Sequence, residues 1–125
     1  MKRMMILIAG PVRSGTGGSL PRIKENLARL EQAALAVYRI GHTPVIGEWL
    51  ALPLASAAGS ERIGDEISES FLYPVAHRLL AHCDAILRIP GASAGADNDV
   101  RIGQARGLTL FTRIEAIPPF REPEA

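Results

Sequence analysis

The run Met4-Met5-Ile6-Leu7-Ile8-Ala9, leading into Gly10-Pro11-Val12-Arg13-Ser14-Gly15-Thr16-Gly17-Gly18-Ser19, constrains this chain more than any other stretch. A short apolar run closed by glycine and proline reads as a buried strand. After it, Ile23, Leu27, Leu30, Ala34, Val37 and Ile40 recur at three- and four-residue steps, the pattern of an amphipathic helix lying on a sheet. Strand, glycine-rich loop and helix form the arrangement with which α/β folds bind anions. The amides of such a turn point outward, and the helix N-terminus adds positive dipole. The loop lacks the Gly-Lys-Ser/Thr ending of a P-loop and does not place a Gly-x-Gly-x-x-Gly pattern at the helix start. It reads as a nucleotide-sized anion site of another kind, or as a turn whose glycines only supply unusual dihedrals.

Further along, Pro21 suits the first turn of this helix and Gly41 its stop, which makes His42 a solvated or capping residue. Thr43 to Ile46 is short and contains Pro44, so it belongs to an edge strand. Residues Gly47 to Gly64 are small and loop-forming and read as a long connection. A helix resumes near Asp65, and Pro74 predicts a break at Tyr73 with a restart after it. Ala85 to Ile89 is a third strand, stopped by Pro90 and Gly91. A second glycine-containing turn leads into a helix from about Asp97 to Arg106, Gly107 ends it, and Leu108 to Phe111 is a fourth strand. Any fifth strand comes from the residues around Ile114 to Ile117.

This alternation predicts a single-domain, three-layer α/β sandwich, Rossmann-like or flavodoxin-like, with a four- to five-stranded parallel sheet in the order 2-1-3-4. The domain spans residues 1–117, and 118–125 form a loosely ordered tail. In that order the crossovers after strands one and three diverge, and ligands settle in the crevice between them. The loops facing it are Gly10 to Ser19 and Pro90 to Asp99.

Composition narrows the class of ligand. The net charge of +1 argues against a nucleic-acid polymer as partner, yet Lys2, Arg3, Arg13, Arg22 and Lys24 all precede the first acidic residue, Glu25. Cys83 is alone, so there is no disulfide framework and no thiolate metal site, which fits a reducing cytoplasm. His42, His77 and His82 are scattered without metal-ligand spacing, so neither a metal nor an organic cofactor is expected. No segment is long enough to span a membrane, and the apolar run after Met1-Lys2-Arg3 is too short for a signal peptide.

The candidate binding residues follow from the crevice. Arg13 offers charge-assisted hydrogen bonds to a phosphate, beside the backbone of Gly10, Pro11, Ser14 and Gly15. The second loop offers Ser93, Gly95, Asp97 and Asp99 around a helix start. Asp97 suits capping of exposed amides, whereas Asp99 lies deeper and can point across the crevice, where a carboxylate attacks an electrophilic sugar carbon or activates water. Glu48 and Trp49 follow strand two at the same edge. The Trp49 ring either stacks on a base or packs the long connection onto the core. Tyr73, squeezed before Pro74, receives no role.

Ile8-Ala9-Gly10-Pro11, the amphipathic helix, Gly41-His42-Thr43-Pro44-Val45, Cys83-Asp84-Ala85, and Ser93-x-Gly95 followed by acidic residues and Gly107 together resemble the nucleoside 2-deoxyribosyltransferase-like superfamily, most closely its small bacterial domains of unknown function. The similarity covers nearly the whole chain. It implies cleavage or transfer of an N-glycosidic bond in a nucleoside or nucleoside 5′-monophosphate, at least a homodimer, and a carboxylate nucleophile six residues after the motif serine. That position is Asp99, with Asp97 assisting and the Gly10 to Arg13 stretch meeting the 5′-phosphate. Two departures stand out: the family nucleophile is a glutamate, and the family's strand-one tyrosine falls at Leu7. They keep open a catalytically inactive nucleotide-binding or sensing module of the same fold.

Overall fold

A computed structural model describes residues 1–122. Four parallel strands form one sheet in the order β2-β1-β3-β4: β1 (Met5–Ala9), β2 (Thr43–Val45), β3 (Ala85–Arg88) and β4 (Thr109–Phe111). Between them run the helices α1 (Leu20–Arg39), α2 (Gly47–Ala57), α3 (Glu66–Leu80) and α4 (Ala94–Ala105). The expected sandwich and strand order are present. Leu7 pairs with Val45 on one side and with Ile86 on the other, so β1 is a central strand, and Ile6, Leu7, Ile8 and Ala9 are all buried. Continuous burial on both faces is what a parallel sheet covered by helices requires.

Alternate residues serve opposite layers. Ile6, Ile8, Ala85 and Leu87 pack against Ile23, Leu30, Ala34 and Val37 of α1. Leu7, Ala9 and Ile86 face Leu80 at the end of α3 and Ala96 of α4. Gly103 lets α4 lie close to the sheet, since a Cβ there would come within 2.3 Å of the Ile86 side chain.

Helices α2 and α3 differ from the sequence expectation for one reason, proline. The supposed long connection after β2 is largely the helix α2, although Pro53 lies inside it. Its alanines favour helix, and Ala51 packs against Leu72 and Val75 of α3, which outweighs the missing amide. Likewise α3 runs through Tyr73 and Pro74 without the expected break, held by the buried side chains of Leu72, Val75 and Ala76. Tertiary packing overrides the local penalty at both sites. Helix α4 begins at Ala94 rather than Asp97, because Ser93 is its cap: the Ser93 hydroxyl accepts from the Ala96 amide at 3.1 Å. The residues proposed as a fifth strand form instead a single 3₁₀ turn, Ile114–Ala116, after which Ile117 is buried against the α1 layer.

His42 is neither solvated nor a side-chain cap. Its backbone amide bonds to Val37 O, closing the helix end together with the Gly41 amide on Tyr38 O. Its ring is only 2% exposed. Nδ1 accepts from the Met4 amide at 3.0 Å, which puts the ring proton on Nε2, 2.7 Å from Pro118 O. The described part of the tail is tied down beyond it: the Phe120 amide bonds to Ile40 O at 2.8 Å, and Arg3 reaches both the Phe120 ring and Glu122. Residues 123–125 of the expected loose tail lie outside the described residues.

His42 thus joins the start of β1 to the tail. Replacing it with alanine strands two backbone groups and opens a cavity, with an expected destabilisation of about 2–4 kcal/mol in urea denaturation. A change below about 0.5 kcal/mol would show that the clasp carries no stability.

Candidate functional site

The crevice opens where expected, at the carboxyl edge of β1 and β3. It is a cleft of about 330 Å³, with Gly10, Arg13 and Ser14 on one side and Ser93, Gly95 and Asp99 on another, while Glu48 and Tyr73 enter from α2 and α3. Each wall is built by local sequence. The loop after β1 is braced by buried Thr16, whose hydroxyl donates to Arg13 O at 2.6 Å and accepts from the Gly18 amide. Asn26 of α1 donates to Val12 O at 2.9 Å. The loop after β3 is drawn in by Arg88, which donates to Gly91 O at 3.0 Å. Gly91 has a φ of +120°, and a Cβ there would lie 2.7 Å from the Pro11 ring, so only glycine lets the two loops touch.

Asp99 is the sixth residue of α4, one turn beyond Gly95 and Ala96, and this spacing puts the three on the face lining the cleft. Burial, with the charge of Glu48 second, pushes its carboxyl up to about 7, and Arg88 opposes both in part. Glu48 lies in the first turn of α2, whose cap position is Ile46 and offers no side-chain acceptor. Burial raises the Glu48 carboxyl, while a bond from its own amide and the charge of Arg13 pull it down. The cleft therefore holds two carboxyl groups close enough to feel each other, one of them half protonated near neutrality. Ser93 lines the cleft, and its hydroxyl accepts one bond in capping α4.

The other candidates lie elsewhere. The Asp97 carboxylate is turned to Arg88 at 2.9 Å with 66% of its side chain exposed, and it does not line the cleft. Trp49 is 42% exposed and donates through Nε1 to Glu31 of α1 at 2.9 Å, tying α2 to α1 away from the cleft. Pro11 packs on the Gly91 position, and the space where a Cβ on Gly15 would sit is open. Arg13, which does line the cleft, is also paired with Glu69 of α3.

Sequence reasoning passed over Tyr73 and Glu69. Tyr73 lines the cleft, with its hydroxyl 3.8 Å from where a Cβ on Gly95 would be. The signal was present in the helical spacing of Leu72, Ala76 and Tyr73, once α3 is taken as continuous through Pro74. No group of three or more His, Cys, Asp or Glu among the described residues has the arrangement to hold a metal ion, and no helix among them is long and apolar enough to cross a membrane.

The raised Asp99 carboxyl makes a stability prediction with a defined sign. Between the unfolded value of 3.8 and about 7, the folded protein keeps a proton that the unfolded chain has lost. Asp99 therefore contributes stability that is complete below pH 4 and lost as the pH rises through 7. Asp99→Asn keeps the shape without the charge. Allowing for solvent screening of this partly exposed group, it is expected to be more stable than the parent by about 1–2 kcal/mol at pH 8. The two proteins are expected to be alike near pH 4, and equal urea midpoints at both pH values would refute the buried-carboxyl account.

No known protein-family model matches the chain, and no curated protein matches it. Its functional reading therefore starts from the chemistry of the cleft.

Proposed function

We propose that the protein is an N-glycosidase or deoxyribosyltransferase-like enzyme acting on a nucleoside 5′-monophosphate or nucleoside. The observation that carries the reading is the Glu48 and Asp99 pair in one cleft at the carboxyl edge of β1 and β3. The resemblance to the nucleoside 2-deoxyribosyltransferase-like superfamily supports the same assignment. Ionised Asp99 attacks C1′ of the sugar, forming an ester bond as the bond from C1′ to the base nitrogen breaks. The electron pair leaves with the base, which takes a proton from water and leaves a hydroxide that accepts the proton lost by the nucleophile of the second step. Water, or the nitrogen of an acceptor base, then attacks C1′ and releases Asp99.

The remaining residues orient the sugar. Ionised Glu48 accepts hydrogen bonds from sugar hydroxyls and offsets positive charge growing on the ring. Tyr73 reaches over the start of α4 and supplies, from α3, the hydroxyl that the family pattern would place at Leu7. Arg13 receives the phosphate. The shorter side chain of Asp99 favours a second reading, a nucleotide-binding module without turnover.

Incubation with ribo- and deoxyribonucleosides and their 5′-monophosphates, with free base followed by chromatography, separates the two. The enzyme reading expects base release that rises with pH through about 7 and is lost in Asp99→Ala. Glu48→Gln, by removing a like charge, moves that rise to lower pH. Tyr73→Phe is expected to lower turnover about tenfold or more, as losing one positioning hydrogen bond does. Nucleotide-dependent thermal stabilisation without any base release would leave the binding module.

A further inference from the structure

Arg88 is the last residue of β3 and, by the alternation of the strand, shares with Ile86 the face covered by α4. Its side chain is only 15% exposed and is engaged outside the cleft. It donates through Nη1 to Ile89 O, and through Nη2 to Gly91 O at 3.0 Å and to the Asp97 carboxylate at 2.9 Å. Neither Arg88 nor any of these three partners lines the cleft. Asp97 stands in the first turn of α4, two residues before Asp99, which does line it.

A cation beside a helix N-terminus opposes the helix dipole, and a first-turn carboxylate removes that conflict. Asp97 supplies the carboxylate, although α4 has no need of it as a cap, since Ser93 already caps the helix. The groups that face Asp99 across the cleft are Glu48 of α2, Arg13 of the loop after β1 and Tyr73 of α3, while His77 of α3 lies 3.5 Å from the adjacent Asn98. Among the charges around Asp99, Glu48 opposes its ionisation and Arg88 favours it. Residues two apart on a helix face different sides, so one guanidinium cannot serve both Asp97 and Asp99. Among the described residues, Arg88 pairs with Asp97 and not with Asp99.

We infer that Asp97 is a positioning residue that acts through Arg88: it holds the guanidinium on the outer side of α4 and denies it to Asp99. The pair thereby sets the pH at which Asp99 becomes a nucleophile, a role that rests on the glycosidase reading above, whereas the clamp itself needs no turnover.

Titration of the Asp99 carboxyl carbon by NMR in the full chain tests this. Asp97 is 66% exposed, so Asp97→Asn is a mild change to the fold. By freeing Arg88, it is expected to lower the Asp99 midpoint from about 7 by about one pH unit, and Arg88→Gln is expected to raise it. With both substitutions combined, the effect of Asp97 disappears, because no guanidinium is left to hold. An unmoved midpoint in Asp97→Asn would overturn the inference. So would a fall of the same size with Arg88 absent, since Asp97 would then act on Asp99 directly. Under the glycosidase reading, the rise of base release with pH moves down in Asp97→Asn and up in Arg88→Gln, which a purely helix-stabilising Asp97 would not cause. Midpoints that respond as expected without base release at any pH remove the glycosidase reading and leave the clamp. Base release whose pH dependence ignores Asp97, with the Asp99 midpoint unmoved, removes the clamp and leaves the enzyme.

Discussion

The two-sided burial of β1 is the constraint on which the rest of this domain depends. Its four buried apolar residues need helices on both faces and strands on both edges. With crossovers right-handed, the connections leaving β1 and β3 must diverge, and a crevice opens between them whatever the loops contain. The ends of the strand are also fixed by polar contacts. The Met5 amide bonds to the Asp84 carboxylate at 2.8 Å, and Ala9 O accepts from Ile89 at 2.7 Å. The backbone of Gly10 therefore emerges at a defined place beside β3, and a Cβ there would come within 2.8 Å of the Ile89 side chain. The position of the Arg13 loop is a consequence of core packing.

The cleft holds the opposite kind of interaction, one that costs stability. Asp99 and Glu48 would each be easier to ionise in water, and the fold brings them together in a partly dry space. Arg88, whose charge lowers the Asp99 carboxyl, is held by Gly91 O and Asp97, so it only softens the effect. Perturbed carboxyls at the carboxyl edge of a parallel sheet are what a site for proton or nucleophilic chemistry needs, although structural pairs also shift. Here Arg88 and Arg13 offset the two carboxyls only in part, which separates the pair from a simple buried salt bridge.

The sheet, its order and the two facing loops were legible because they depend on patterns of period two and period 3.6 that the chain states plainly. Helices α2 and α3 were obscured for one shared reason. Pro53 and Pro74 are strong local signals, and the packing that outweighs them, Ala51 against Leu72 and Val75, joins residues about twenty positions apart. With α3 expected to break at Tyr73, that residue had no face to occupy; Glu69 lay on the expected helix, but its partner Arg13 is 56 positions away in sequence. His42 was missed because its partners, Met4 and Pro118, lie 38 and 76 residues away. Asp99 and Glu48 were found as separate acids. That they share a cleft follows from α2 starting at Gly47, which places Glu48 in the helix's first turn at the sheet edge.

Charge runs in one direction along the cleft and the cavity that adjoins it. The carboxyl groups of Glu48 and Asp99 line the cleft, and the guanidinium groups of Arg13 and Arg62 line the adjoining cavity, with Arg13 at the boundary. A ligand with an anionic end and an end that becomes electron-poor has one favourable orientation in such a field, and the reversed pose brings anion against carboxylate. A glycosidic bond broken through an oxocarbenium-like state, in a molecule carrying a phosphate, has this polarity. Under the proposed function, interactions with the phosphate end would be made before the reaction and persist through it, so their energy would be available to hold C1′ against Asp99. Under the same proposal a neutral nucleoside has no anionic end for this field to orient, and only its sugar contacts with Glu48 and Tyr73 would fix its position.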